Sequence, residues 1–192
     1  PAGAAWWISL EIRRVTAERW ADLERLFESR GRLRGCWCML FRAGLDGKVP
    51  PANGPDRKQA MWELVAAGVP VGLLGYADGE PVAWCSVAPR ATFRGLDVVG
   101  APNEPVWSLT CFYVRSDHRR RGVMRLLLDA GLAEARAHGA AALEAYPVDP
   151  DSPSYRFGGF VPFFEAAGFR EVGRLGTRRH VMRKSLFQEG PR

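Results

Sequence analysis

The sequence lacks the features that mark membrane and secreted proteins. No uncharged apolar run is long enough to cross a bilayer. The first residues, Pro1–Ala5, have no basic stretch followed by a long apolar core, so a signal peptide is not expected. The four cysteines fall in apolar or aromatic runs without C-x-x-C spacing, which fits a reducing compartment. We therefore expect a cytoplasmic protein with no membrane partner.

Residues that bind metals or act as nucleophiles are also scarce. The chain has only three histidines, and none stands in a triad-like context. Cys36 and Cys38 have C-x-C spacing, but two cysteines with no nearby histidine are poor evidence for a metal site. Cys111 has no neighbouring base in the sequence that would form a thiolate. We expect no metal.

The composition is that of an ordinary globular protein with an excess of positive charge. The chain has 192 residues, of which 47% are hydrophobic and 25% charged. This length suffices for one α/β core and is short for two, so we expect a single domain over residues 1–192. The net charge of +6, without a lysine-rich block, indicates an anionic ligand and does not require nucleic acid.

The most informative stretch joins a strand to a helix through a basic turn. Residues 106–114 are β-branched and aromatic, without glycine or proline, which predicts a buried strand. From Val123 to Gly139, apolar residues recur at the three- and four-residue steps of a helix. Between them, residues 115–125 carry five arginines and one aspartate around Gly122. Because the first N–H groups of a helix are unpaired, this turn predicts a site for a phosphate-bearing ligand.

The rest of the chain alternates between strand and helix patterns. Residues 6–15 predict a strand, and Thr16 predicts the cap of a helix that ends near Gly31. Further strands are predicted at 35–42, 71–76, 82–87, 142–148, 170–175 and 180–186. Asp56 with Gln59 predicts a helix that stops at Gly68, and a short helix is predicted at 162–167. Asp78-Gly79 predicts a hairpin, and residues 89–105 predict a loop at the edge of the domain.

Two motifs resemble the GNAT superfamily of N-acyltransferases. Arg119-x-x-Gly122-x-Met124 is similar to the (Q/R)-x-x-G-x-(G/A) acetyl-CoA signature of that family, with Met124 in place of Gly or Ala. Phe163-Phe164-Glu165-x-x-Gly168-Phe169 is similar to its late helix, and the order of elements matches its layout over about residues 8–186. The resemblance implies an α/β (mixed α+β) domain. Its central sheet is mostly antiparallel, splayed at the acetyl-CoA site and flanked by helices.

The resemblance also implies acetyl-CoA as co-substrate. In the family, the turn and the helix start hold the pyrophosphate of coenzyme A, and the preceding strand pairs with the pantetheine arm. Carried over, this implies cofactor contacts from Phe112, Tyr113, Val114, Arg119, Arg120, Arg121, Gly122, Val123, Met124 and Arg125. A free backbone N–H between Phe112 and Val114 would donate to the oxyanion that forms at the thioester.

Proton transfer needs a base for the attacking amine and an acid for the leaving thiolate. Glu144 and Tyr146 stand two apart on a predicted strand, hence on one face of it. A carboxylate in an apolar strand is either functional or paired, so Glu144 is a candidate base, with an ion pair to an arginine as the alternative. Tyr146 is a candidate acid, with an ordinary core tyrosine as the alternative. The family's usual acid, a tyrosine, falls at Phe164, so Tyr146, Tyr155, water or unassisted departure all stay open.

Tryptophans suggest an acceptor site. Trp37, Trp84 and Trp107 lie on segments that border the acceptor in GNAT proteins. A cavity walled by tryptophan suits an apolar or cationic amine, and a tryptophan-rich core is the alternative.

Together these features predict an N-acetyltransferase that moves an acetyl group from acetyl-CoA to a primary amine by direct attack in a ternary complex. The acceptor is a small-molecule or peptide amine, and a homodimer is compatible with this prediction. A non-catalytic acyl-CoA-binding or interaction module on the same fold is the alternative. Nucleic-acid binding through the arginine turn and the basic tail is a further rival that we do not expect.

Overall fold

A computed structural model describes residues 10–29, 35–96, 100 and 104–187. Within them, seven strands form one sheet in the order β1-β2-β3-β4-β5-β7-β6. The strands are β1 (Glu11–Arg14), β2 (Leu73–Ala77), β3 (Glu80–Pro89), β4 (Val106–Val114), β5 (Ala142–Ala145), β6 (Arg170–Leu175) and β7 (Arg179–Ser185). The α-helices are α1 (Trp20–Glu28), α2 (Gly54–Ala66), α3 (Val123–Ala137) and α4 (Val161–Glu165). None of these helices is long and apolar enough to span a bilayer.

The contact between β4 and β5 is the one parallel pairing in the described sheet. It joins Val106–Leu109 to Ala142–Ala145 and stops there. β4 continues to Val114 while still paired with β3 on its other side. The sheet is therefore mostly antiparallel and opens beside the end of β4, as the family resemblance implied.

The helices cover both faces of the sheet. On one face, α3 buries Leu127, Leu128 and Leu132 against β3, β4 and β5. Full burial of a leucine contributes about 2 kcal/mol, so this stripe holds α3 firmly in place. On the other face, α1 and α2 pack around Trp84 and Leu74. The apolar residues that recur along α3 in the sequence are thus what fixes its first turn beside the end of β4.

Several predicted elements are confirmed. Asp78 and Gly79 both have positive φ, at 51° and 78°, and they join β2 to β3 as an antiparallel hairpin. The helix α3 and the terminal hairpin of β6 and β7 lie where the sequence placed them. The strand predicted at 142–148 is shorter, because regular pairing ends at Ala145 and Val148 forms only isolated bridges.

The strand predicted at 35–42 is wrong. These residues form turns, and Trp37 and Cys38 have positive φ values of 46° and 50°. Both side chains are buried, at 3% and 6% exposure. The segment is apolar because it fills the core beside α1, and such burial does not require an extended backbone.

Two predicted helix caps also need correction. Asn53 is the residue that caps α2, and its side chain accepts the N–H of Asp56 at 2.9 Å. Thr16 stands at the predicted boundary, but its side chain makes no capping bond, and a 3-10 turn at Ala17–Arg19 precedes α1. Part of the first predicted strand, residues 6–9, and the predicted helix end at Gly31 lie outside the described residues.

Candidate active site

A cleft of about 500 Å³ lies between the end of β4 and the start of α3. Of the ten residues predicted to contact the cofactor, all but Arg121 line it. Phe163 completes the lining, which consists of Phe112, Tyr113, Val114, Arg119, Arg120, Gly122, Val123, Met124, Arg125 and Phe163. The structure thus brings the predicted cofactor residues together around one opening.

The backbone of the turn leaves the start of α3 accessible. Arg120 and Gly122 both adopt left-handed conformations, with φ of 57° and 76°. Gly122 occupies the N-cap position of α3, and no side chain caps the helix there. A Cβ added at Gly122 would meet nothing within 4 Å. The first N–H groups of α3 therefore have room for an anion, and they carry the positive end of the helix dipole.

The arginines of the turn divide into paired and unpaired side chains. Arg115 donates to Asp117 at 2.6 Å, which holds the pKa of that carboxyl well below its usual range. Arg125 pairs with Asp129 at 3.0 Å, one helical turn away. In the described part of the chain, Arg120 has no acidic partner, and neither does Arg121. Both charges are available to a phosphate group.

Aromatic side chains form the inner wall of the cleft. The Phe112 ring lies 6.1 Å from that of Phe163 and 6.3 Å from that of Phe164. Phe164 is fully buried and also packs on Phe169. The position of the family's usual tyrosine is therefore filled by a core phenylalanine that has no proton to donate.

Glu144 lies inside the sheet rather than in the cleft. Its side chain is fully buried, and Nη1 of Arg90 lies 3.2 Å from each of its carboxylate oxygens. Arg183 of β7 adds a longer contact of 3.4 Å and also pairs with Glu104. These contacts support the ion-pair alternative for Glu144.

Tyr146 is locked in the same network. Its hydroxyl donates to Glu144 at 3.1 Å and lies 2.8 Å from Oγ of Ser108. Burial, and then the neighbouring Glu144 charge, raise the pKa of Tyr146 well above its usual value. A phenol of this kind is a poor acid near neutral pH. The structure brings Glu144 and Tyr146 together, as predicted, but neither lines the cleft.

The three tryptophans do not converge on one site. Trp84 and Trp37 are buried beside α1, where Trp37 stacks on Trp20 at 5.6 Å. Trp107 lies on the opposite face, 5.0 Å from the His138 ring, in a separate cavity of about 510 Å³. That cavity is at the far end of α3, about 22 Å along the helix from the basic turn. The contacts of all three fit the core alternative.

Several residues of the site region were not identified from the sequence. Phe163 was quoted only as part of a motif, yet it lines the cleft. Arg90 lay in a segment predicted as an edge loop. Arg183 lay in the strand predicted at 180–186, where its side chain was considered only as part of a basic tail. No local pattern links either residue to Glu144, because the pairing depends on the sheet order. Among the described residues, no group of three or more His, Cys, Asp or Glu could hold a metal ion.

Comparisons with known proteins point to one family. The model of the acetyltransferase (GNAT) family matches residues 20–169. No curated protein matches the sequence. Solved structures with a similar fold include an acetyltransferase from Thermus thermophilus, with 20% identity and a TM-score of 0.55 over 93% of this chain and 97% of that one.

The names of two further similar structures include a substrate. The diaminobutyrate acetyltransferase EctA from Paenibacillus lautus, in complex with L-2,4-diaminobutyric acid and coenzyme A, is 15% identical, with a TM-score of 0.54 over 96% of this chain and 99% of that one. The ribosomal-protein-S18-alanine N-acetyltransferase from Escherichia coli is 14% identical, with a TM-score of 0.54 over 95% of this chain and 97% of that one. At these identities the likeness shows the fold.

Proposed function

Since the chain belongs to the acetyltransferase (GNAT) family, we propose that it is an N-acetyltransferase that moves an acetyl group from acetyl-CoA to a primary amine. The observation that carries the proposal is the uncapped start of α3 facing a cleft beside the unpaired edge of β4. One end of this cleft suits a diphosphate, and the other offers backbone groups to a thioester.

The described residues fit coenzyme A. The uncapped amides at Gly122 and Val123 suit the pyrophosphate, and Arg120 and Arg121 bring two charges with no acidic partner among the described residues. The apolar wall at Phe112 and Phe163 suits the pantetheine arm. When bound, the co-substrate supplies the activated acetyl group.

Beyond Leu109, the β5 side of β4 pairs with no strand among the residues that the structure describes. Alternate backbone groups of a strand point to its two sides, so part of the Phe112–Val114 backbone faces this opening. A backbone N–H there would stabilise the negative charge on the thioester oxygen as the amine attacks. This role needs no side chain, which is compatible with the apolar character of the cleft wall.

The catalytic roles of Glu144 and Tyr146 stay predictions. Their hydrogen bonds support positioning roles, because both side chains are buried and paired within the sheet. Phe164 leaves no acid at the family's usual position. We therefore propose that the thiolate leaves without a proton from α4, and the pH profile described in the Discussion tests Glu144 as a base.

The acceptor is proposed only as a class. The names of the relatives above give L-2,4-diaminobutyric acid and an alanine of ribosomal protein S18 as acceptors, and both present an amino group. For this chain we propose a small-molecule or peptide amine.

The test is a coenzyme A release assay with acetyl-CoA and a panel of amines. The panel contains a diamine, free amino acids, a peptide with a free amino terminus and the same peptide with an acetylated terminus as the control. We expect release above the background with at least one free amine and none with its acetylated counterpart. Tight binding of acetyl-CoA with no turnover across the panel would support the non-catalytic module instead.

A further inference from the structure

Arg42 is a buried cation with no carboxylate partner in the part of the chain that the structure describes. Its side chain is fully buried and donates to the carbonyl of Val71 at 3.0 Å and to Oγ of Thr92 at 3.3 Å. Its Nε atom is buried with no hydrogen-bond partner, and no described carboxylate pairs with the guanidinium. Burial lowers the pKa of Arg42 to about 9, so it still carries its charge at neutral pH. A buried charge of this kind requires a compensating anion nearby.

Cys38 is the group that can supply this negative charge. Its Sγ accepts a hydrogen bond from Nε1 of Trp84 at 3.1 Å, deep in the core. The pKa of the Cys38 thiol is lowered, first by a hydrogen bond with Cys111 and then by Trp84 and the charge of Arg42. A negative charge on Cys38 would in turn favour the charged form of Arg42. Each side chain therefore favours the charged form of the other.

The register of the sheet places Cys111 on the same face as Trp84, whose indole donates to Cys38, and all three side chains belong to one core cluster. Ser86 pairs with Cys111 and Trp84 with Tyr113, so Cys111 and Trp84 project from the same face of neighbouring strands. The interaction with Cys38, and then burial, raise the pKa of Cys111. Cys111 also makes a long contact of 3.7 Å with the carbonyl oxygen of Phe112. Cys38 and Cys111 keep 6% and 7% exposure, whereas Cys85 has none.

We propose that Cys38 and Cys111 form a thiol modification site, at which a hydroperoxide makes a reversible disulfide bond. The thiolate of Cys38 attacks the terminal peroxide oxygen, the O–O bond breaks, and uptake of a proton gives a sulfenic acid and water or an alcohol. The Cys111 thiol then attacks the sulfenic sulfur, the S–O bond breaks, and water leaves with the Cys111 proton. Sulfur loses two electrons and the peroxide gains them. The bond would tie the turn at 36–42 to β4.

Peptide mapping of the full chain tests this site directly. The protein is treated with hydrogen peroxide, its remaining thiols are blocked, and it is digested with trypsin without reduction. The sequence places Cys36 and Cys38 in the tryptic peptide 35–42, Cys85 in 59–90 and Cys111 in 95–115. We expect peptide 35–42 to be linked to 95–115 after peroxide, and the link to disappear with a thiol reductant. Peptide 59–90 should stay unlinked, because burial raises the pKa of Cys85 to about 12.

Two variants assign the link within peptide 35–42. Cys36→Ser should keep the link at the wild-type rate, and Cys111→Ser should lose it. A bond between Cys36 and Cys38, a link that depends on Cys36, or unchanged peptides after peroxide would each overturn the proposal. The peptide map of the wild type shows whether the link forms, so the proposal is tested even if a variant fails to fold. None of these readouts depends on acetyl transfer.

Discussion

Arg90 and Glu144, 54 residues apart in the sequence, form an ion pair in which one guanidinium nitrogen lies 3.2 Å from both carboxylate oxygens. The pair joins the segment after β3 to β5 and is almost completely buried, at 5% and 0% side-chain exposure. It explains how a carboxylate can occupy the middle of an apolar strand.

Replacement of Glu144 by glutamine should destabilise the protein strongly. The change removes the buried negative charge that Arg90 and Arg183 both contact, and breaking such a pair typically costs about 3–5 kcal/mol. Denaturant unfolding measures the loss. Glu104→Gln is the matched control, because Glu104 pairs with the same Arg183 but keeps 29% side-chain exposure, so its loss should be clearly smaller.

The same variant separates a base from a positioning residue. If Glu144 only holds the sheet together, Glu144→Gln assayed at a temperature where it stays folded should keep the acid limb of the wild-type kcat/KM profile. If Glu144 is the base, that limb should vanish and kcat should fall by about 100-fold or more. Steady-state rates over a range of pH with the best amine of the panel distinguish the two results.

Gly122→Glu should remove coenzyme A binding. The new carboxylate would stand against the expected diphosphate at the start of α3, so we expect a loss of roughly 100-fold in affinity, or about 2.7 kcal/mol. Gly122→Ala has the same backbone strain at φ of 76° without the charge, and it should cost about 1 kcal/mol of stability while it still binds. Calorimetry with coenzyme A provides the comparison. Equal affinity for the two variants would mean that the turn is not the phosphate site.

The contact between Glu171 and His180 should make the stability of the fold depend on pH in the acid range. The His180 imidazole, with Nδ1 2.7 Å from a Glu171 oxygen, lowers the pKa of that carboxyl below its ordinary 4.5. A carboxyl whose pKa is lower in the folded state than in the unfolded state stabilises the fold at pH values above its unfolded-state pKa. This contribution is lost as the pH falls through the folded-state pKa. The difference in Tm between the wild type and Glu171→Gln should therefore have its full size above about pH 5 and shrink below about pH 4. A difference that stays constant down to pH 3 would contradict this origin.

Gly72→Ala should be far more damaging than Gly68→Ala. A Cβ at Gly72 would collide with the carbonyl oxygen of Cys85 and lie 2.6 Å from the Trp84 ring, so β2 and β3 would have to separate. We expect a cost of about 3 kcal/mol or more from overpacking at Gly72. A Cβ at Gly68 meets nothing within 4 Å and brings only the strain of φ at 74°, or about 1 kcal/mol. Denaturant unfolding of the two variants, measured side by side, gives both losses of stability. Equal losses would mean that the crowding at Gly72 is unimportant.

The sequence predicted best those features that depend on neighbours in the chain. Asp78-Gly79 fixed a hairpin because its residues accept positive φ, and the apolar spacing after Gly122 fixed α3 because one face of it is buried. The cleft between β4 and α3 was predictable for the same reason, since the turn, the preceding strand and the helix are contiguous.

Features that depend on distant parts of the chain were missed. The turn at Trp37 and Cys38 has the composition of a strand, and only its burial against Trp84 explains that composition. The partners of Glu144 come from the segment after β3 and from β7, which become its neighbours only in the folded sheet. No spacing rule could have selected Arg90 from among the many arginines of this chain.

The pairing of β4 with β5 extends over only four residue pairs, Val106–Leu109 with Ala142–Ala145. These few backbone hydrogen bonds connect the part of the sheet formed by β1 to β4 with the part formed by β5 to β7. Native-state hydrogen exchange should show that the two parts open as separate units. A ligand that touches both would make them open as one.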